Sequence, residues 1–65
     1  MMATFNRHSF NVQGSVSVTM ADGRRFRSDF PVAVWKWLTS SKGKDWASVT
    51  VHNKDLDEYY GWDRV

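Results

Sequence analysis

The fold is decided by residues 14–38, which read GSVSVTMADGRRFRSDFPVAVWKWL. In the first part of this stretch, Val16, Val18 and Met20 alternate with polar residues, as expected for a half-buried β-strand. In the last part, apolar residues recur three and four positions apart, which is typical of an amphipathic helix. The stretch therefore predicts both strand and helix in one small domain.

A tight hairpin is predicted between the first two strands. Residues 21–23, Ala-Asp-Gly, suit a three-residue loop whose glycine takes the left-handed conformation. This loop length pairs Val18 with Phe26 and Val16 with Ser28, so that apolar residues share one face. A two-residue loop would mix the faces, because a slip of one residue turns every side chain over.

The second strand is predicted over residues 24–30, with Phe26 and Phe30 pointing to the core. Pro31 suits the first turn of a helix, where its missing N–H is harmless. Gly43 is the expected C-terminal cap of that helix. The apolar face of the helix is predicted to consist of Pro31, Val34, Trp35 and Leu38.

The remaining chain adds one strand and two flanking segments. A third strand is predicted over residues 46–52, and residues 55–60 form either one helical turn or an irregular tail. The chain is thus predicted to be one α+β domain, residues 1–65, with the order β-β-α-β and one helix packed on an antiparallel sheet. Residues 1–8 are an N-terminal arm and residues 55–65 an acidic, aromatic tail.

Composition favours binding over catalysis. The chain has 65 residues, no cysteine, and ten aromatic side chains, which is more than so small a core readily hides. We therefore expect some aromatic residues to line a partner surface, and we expect a homo-oligomer. Charge is uneven: residues 1–54 carry a net +5 and residues 55–65 a net −3. A basic body suits an anionic ligand, although a generic charged surface is the alternative.

Other classes of protein are disfavoured. The sequence has no apolar run of membrane-spanning length and no signal-peptide pattern, so a cytoplasmic location is expected. His8 and His52 do not have metal-site spacing, and no metal or cofactor is predicted. A Ser–His–Asp arrangement is compatible with the composition, but a chain this short encloses little volume for an active site, so no enzyme is predicted.

Two basic segments are the candidate phosphate-binding elements. Arg24, Arg25 and Arg27 flank Phe26 on the second strand, and guanidinium groups beside aromatic rings are typical of nucleic-acid contacts. The alternative is a charged strand that discourages edge pairing. Lys42 and Lys44 surround Gly43 in a second candidate, whose alternative is a plain helix-ending loop.

Aromatic residues supply the other candidates. Trp37 falls at the edge of the apolar helix face or outside it, and Trp37 or Trp46 is expected to stack a base. The tail Tyr59-Tyr60-Gly61-Trp62 either docks on a neighbouring chain or folds back onto the sheet. The interface is therefore predicted at Tyr59, Tyr60 and Trp62.

Residues 16–46 resemble the KTSC domain, a short module of bacterial and phage proteins. Gly23 and Phe26 match its turn and first aromatic position, and Ser41, Gly43 and Trp46 match its closing motif. Ser28 and Ala47 depart from the pattern. The resemblance implies a small α+β fold and, through the proteins in which the domain occurs, RNA binding.

The leading hypothesis is a non-catalytic module that binds a phosphate-bearing ligand, either RNA or DNA or a small signalling nucleotide. A small, cysteine-free, tryptophan-rich chain also resembles the accessory proteins of bacteriophages, which suggests sequestration of that ligand. The rival hypothesis is a protein–protein module that inhibits a host enzyme through its exposed aromatic residues.

Overall fold

The computed structural model describes residues 5–64 and contains two short helices and four strands. In chain order these are α1 (Arg7–Phe10), β1 (Gly14–Met20), β2 (Arg25–Ser28), α2 (Pro31–Leu38), β3 (Trp46–Asn53) and β4 (Glu58–Asp63). The four strands form one antiparallel sheet in the order β2-β1-β3-β4. The protein is thus a small α+β domain, as predicted, with one strand and one helix more than the predicted β-β-α-β order.

The hairpin between β1 and β2 has the predicted loop and register. Val16 lies opposite Ser28 and Val18 lies opposite Phe26. The Met20 N–H donates to the Arg24 carbonyl at 2.8 Å, which closes a three-residue loop. Gly23 has φ of 96°, a left-handed conformation that only glycine adopts without steric cost.

Strand β4 was not predicted. The segment expected to be a helical turn or a tail folds back as the edge strand next to β3, with Trp62 opposite Val49 and Tyr60 opposite Val51. Asn53 shapes the preceding turn, because its side-chain Oδ1 accepts the backbone N–H groups of the second and third following residues. Sequence patterns understate this strand because acidic residues and glycine are uncommon in strands.

Helix α2 begins at Pro31 as predicted but ends earlier than Gly43. Its last residue is Leu38, and the Thr39 hydroxyl caps the end by donating to the Trp35 and Lys36 carbonyls. Gly43 is therefore not the C-terminal cap. It is buried against Trp37, where a β-carbon would lie 2.7 Å from the indole ring. The glycine allows the loop after α2 to pack tightly against the helix.

Both helices lie on one side of the sheet and cover the core. The buried hydrophobic residues are Phe10, Val16, Val18, Met20, Leu38, Trp46, Val49, Val51 and Trp62. Phe5 packs against this cluster, and its ring stacks on Trp46 with centroids 4.8 Å apart. Of the predicted N-terminal arm, residues 1–8, Phe5 thus packs on the core, and residues 1–4 lie outside the described part.

Phe26 and Phe30 were both predicted to point to the core. The prediction is partly met for Phe26 and wrong for Phe30. Phe26 is on the core side of β2 but is 44% exposed, and Phe30 is 72% exposed. Phe26 is exposed because β2 forms the edge of the sheet. Phe30 is exposed because β2 has only four residues and ends before it. In the described part of the chain, no helix has the length and apolar character needed to cross a membrane.

Candidate functional site

The sheet face opposite the helices forms an exposed polar surface, which we call the open face. Side chains alternate between the two faces of a strand, so residues next to the core valines in sequence point to this side. The residues of the open face that bear on function are Arg25, Arg27, Ser17, Thr50, His52 and Tyr59. Ser17 and Thr50 lie opposite each other at its centre and are exposed.

Arg25 and Arg27 supply the positive charge of the open face. Arg25 makes no ion pair with any residue between 5 and 64. Arg27 lies 3.7 Å from Asp29 through Nη2 and Oδ1, and both side chains are mostly exposed. An exposed ion pair at this distance contributes little to stability. The guanidinium groups of Arg25 and Arg27 are therefore free to bind an anion.

Arg24, the third predicted arginine, is engaged in the hairpin turn. Its Nε donates to Asp22 Oδ2 at 2.7 Å, and its backbone N–H donates to Asp22 Oδ1 at 3.0 Å. The backbone N–H of Arg24, together with its guanidinium group, holds the pKa of Asp22 below its ordinary value. Arg24 also lies over the Phe26 ring, 5.7 Å from its centroid. Arg24 thus stabilises the turn and is not part of the open face.

A stacked pair of rings occupies the other side of the open face. The His52 and Tyr59 rings have centroids 4.4 Å apart and an interplanar angle of 15°. His52 Nε2 lies 3.1 Å from Asp57 Oδ1, and Tyr59 is 68% exposed. Sequence reasoning placed Tyr59 at an interface and did not select His52, because their contact depends on the unpredicted strand β4.

His52 and Asp57 form a hydrogen-bonded pair that lacks the features of a Ser–His–Asp triad. Ser15 lies opposite His52 in the sheet, but no hydrogen bond joins these two side chains among the described residues. Asp57 is 87% exposed at its side chain, whereas the orienting carboxylate of a catalytic triad is buried. Residues 5–64 also contain no cluster of three His, Cys, Asp or Glu that could hold a metal ion.

Trp37 lies on the other side of the sheet from Arg25. It is half-buried on α2 and contacts Phe26 edge to face, with ring centroids 5.7 Å apart. Together they border an apolar groove of about 330 Å³ between α2 and β2, which Val16 and Val34 also line and whose rim includes Arg27. The predicted single surface of arginines with Trp37 is therefore not formed.

The other predicted aromatic contacts are mostly in the core. Trp46 is 6% exposed, with Phe5 stacked against it and Arg64 Cζ 4.1 Å from its centroid, so it has no free face for a base. Trp62 is 8% exposed and stacks on Phe10. Tyr60 packs half-buried against the same cluster. Trp46 as a stacking residue and Trp62 as an interface residue are therefore corrected by the structure.

Lys42 and Lys44 are exposed in the loop between α2 and β3. This loop lies beside the hairpin turn, because the Ala21 N–H donates to the Asp45 carbonyl. The two lysines are thus at the Arg24 end of the sheet, outside the open face. The structure does not bring them together with Arg27.

Charge is graded across the open face. The β2 edge carries Arg25 and Arg27, whereas the β4 side carries Asp63, with Asp57 in the turn before the strand. An anionic ligand is therefore attracted to the β2 edge and repelled by the β4 edge. The sequence already showed this asymmetry as a basic body and an acidic tail. The strand order places the two charges at opposite edges of one surface.

The chain matches no protein-family model, no curated protein and no solved structure. The resemblance to the KTSC domain therefore stays a prediction.

Proposed function

We propose that the protein is a non-catalytic module that binds single-stranded nucleic acid on the open face of its sheet. The observation that carries this proposal is that Arg25 and Arg27 share one exposed sheet face with the stacked rings of His52 and Tyr59. Guanidinium groups hold phosphates, and an exposed aromatic ring stacks a base whatever its identity.

The spacing of these groups favours an oligonucleotide over a small nucleotide. Arg27 and Tyr59 are on the two edge strands, which are three interstrand spacings apart. With about 4.8 Å per spacing, the strands are about 14 Å apart. A single nucleotide is too short to place its phosphate on Arg27 and its base on Tyr59. A strand of several nucleotides spans that distance.

The acidic β4 edge supports a defined orientation of the ligand. Asp57 and Asp63 repel phosphates near Tyr59, so the end of the bound strand whose phosphates contact Arg25 and Arg27 lies at the β2 edge, and the strand crosses the face so that a base of another nucleotide reaches the rings. Serine and threonine hydroxyls in the centre, including those of Ser17 and Thr50, offer hydrogen bonds without fixing a sequence. We therefore expect weak sequence preference.

The rival function, inhibition of a host enzyme, loses most of the tail residues that were its predicted anchors. Trp62 is a core residue and Tyr60 is half-buried, which leaves Tyr59 as the exposed member of the tail. One tyrosine at a strand edge is a weak anchor, since interface hot spots cluster in desolvated pockets.

The test is a salt titration of binding to a labelled single-stranded oligonucleotide, followed by fluorescence anisotropy. Two phosphate contacts predict a slope of about −1.4 for log K against log salt, at about −0.7 per phosphate on single strands. Arg25→Gln is expected to make the slope shallower by about 0.7. Tyr59→Leu is expected to weaken binding by about 1–3 kcal/mol without changing the slope, because stacking releases no counterions.

Lys36→Gln is the matched control, because it removes the same charge from an exposed position on α2. It is expected to leave both affinity and slope near their wild-type values. If Lys36→Gln lowers the slope as much as Arg25→Gln does, binding follows net charge and the open face is not the site. A mononucleotide that competes as well as the oligonucleotide would also contradict the proposal.

A further inference from the structure

The exposed edge of β2 is self-complementary, which points to a second copy of this chain as its partner. The edge sequence from Arg25 onward is Arg-Phe-Arg-Ser-Asp-Phe. If two copies pair antiparallel about Ser28, Arg27 of each lies opposite Asp29 of the other. In the same register, Phe26 lies opposite Phe30. The register therefore forms two pairs of opposite charges and two pairs of phenylalanines.

The backbone of β2 is set up for this register. The Arg24 carbonyl accepts a hydrogen bond from β1, so inward bonding alternates and the N–H and C=O groups of Arg25 and Arg27 point outward. Pairing Arg27 with Asp29 uses the outward-pointing groups of Arg27 and extends β2 of each copy by one residue, from Ser28 to Asp29. The Phe30 N–H, which donates to Ser28 Oγ at 3.1 Å, is not needed for the pairing.

Other registers and the other edge are less favourable. A register centred on Arg27 places that arginine opposite itself, and one centred on Phe26 places Arg25 opposite Arg27. Strand β4 contains Glu58 and Asp63 and no basic residue, so its self-pairing brings acidic side chains of two copies close together. Like charges directly opposite one another destabilise a strand pair, so the Ser28 register of β2 is selected by charge.

The proposed pairing also buries apolar surface on the core side of the same edge. Phe26 and Phe30 are 44% and 72% exposed, and Phe26 borders the groove lined by Val34 and Trp37. In the proposed register the Phe30 ring of each copy lies on the groove side of the other, next to Phe26. We infer that the protein forms a twofold dimer through antiparallel β2–β2 pairing centred on Ser28, which seals this edge and covers both rings.

The dimer has consequences for charge. It creates one continuous sheet of eight strands whose basic β2 strands lie at the centre and whose acidic β4 strands lie at the two outer edges. Arg25 and Arg27 of both copies then share one open face. The inference is independent of nucleic-acid binding, and its test uses none.

Charge exchange provides the first test, by sedimentation velocity over about 1 to about 200 µM protein, the range that separates weak from tight dimers. Wild-type protein is expected to shift from monomer to dimer with concentration. Arg27→Asp and Asp29→Arg are each expected to be monomeric because like charges then face each other. An equimolar mixture of the two variants is expected to form a heterodimer, since both facing pairs are again opposite in sign.

A disulfide at the twofold axis provides a test of register. The chain has no cysteine, so Ser28→Cys introduces a single thiol that lies opposite its copy, at a β-carbon separation of about 4.5–5.5 Å. It is expected to oxidise to a covalent dimer, whereas Ser17→Cys, one strand inward, is expected to remain mostly monomeric. Circular dichroism of each variant confirms that the monomer is folded.

Three results would overturn the inference. The first is wild-type protein that stays monomeric across the concentration range. The second is a mixture of Arg27→Asp and Asp29→Arg that associates no better than either variant alone. The third is growth beyond two subunits, which would indicate head-to-tail pairing of the basic β2 edge with the acidic β4 edge of another copy.

Discussion

Phe10 is expected to be one of the most sensitive positions in the chain. It has no exposed surface, and its ring contacts those of Phe5, Trp35 and Trp62 at centroid distances of 5.7, 5.2 and 5.4 Å. Phe10 thus joins α1, α2 and β4 around one side chain. Its substitution tests whether the N-terminal segment is part of the domain.

The expected cost of Phe10→Ala is large relative to the total stability. Removing a buried phenyl ring costs about 3–5 kcal/mol, through lost transfer free energy and the cavity left behind. A domain of this size has a free energy of unfolding of about 3–5 kcal/mol from its single core. Phe10→Ala is therefore expected to be largely unfolded at room temperature, and Phe10→Leu, which keeps most of the volume, to lose about 1–2 kcal/mol.

The assay is urea unfolding followed by tryptophan fluorescence, because Trp35 and Trp62 contact the substituted ring. Leu56→Ala is the matched control, since it removes an apolar side chain that is 63% exposed. The control is expected to change stability by less than about 0.5 kcal/mol. A Phe10→Ala protein within about 1 kcal/mol of wild type would refute the reasoning and show that residues 5–10 do not contribute to the core.

Two further predictions concern the loop after α2 and the hairpin turn. Gly43→Ala is expected to cost about 1–3 kcal/mol in urea unfolding, because the new methyl group overlaps the Trp37 backbone and ring. Gly61→Ala, whose new atom would meet nothing closer than 3.9 Å, is expected to lose no stability, and an equal loss in both variants would contradict the packing argument. Because the pKa of Asp22 is lowered in the folded state, its stabilisation is present above its ordinary pKa of 3.8 and is lost as pH falls through the folded value. Asp22→Asn is therefore expected to lose less stability than wild type between about pH 6 and about pH 2.5, and parallel losses would show that the turn carboxylate does not contribute.

The hairpin and the start of α2 were predictable because local rules decide them. The alternation around Val16 and Val18 sets the face, the glycine of the turn sets the loop, and together they fix the register to Phe26. Pro31 marks a helix start because its ring presets φ and its missing N–H has no partner there. None of these inferences needs a contact between distant parts of the chain.

Positions that depend on distant contacts were missed. The segment after Lys54 has a composition unfavourable to strands, and it becomes β4 because Tyr60 and Trp62 complete the core beside β3. The same packing buries Trp62, and Phe5 and Arg64 cover Trp46, so neither ring is available to a ligand. Gly43 looked like a helix cap, but its role is close packing against Trp37, which only the folded loop reveals.

By itself the sequence determined the α+β character, the hairpin register and the presence of Arg25 and Arg27 on one strand face, because these follow from period and turn chemistry. Tertiary structure alone decided which face of the sheet is covered, which aromatic rings remain exposed, and that His52 meets Tyr59. The physical reason is that burial is a property of neighbouring elements, and the order of strands in a sheet is selected by the total apolar surface they cover rather than by any local pattern.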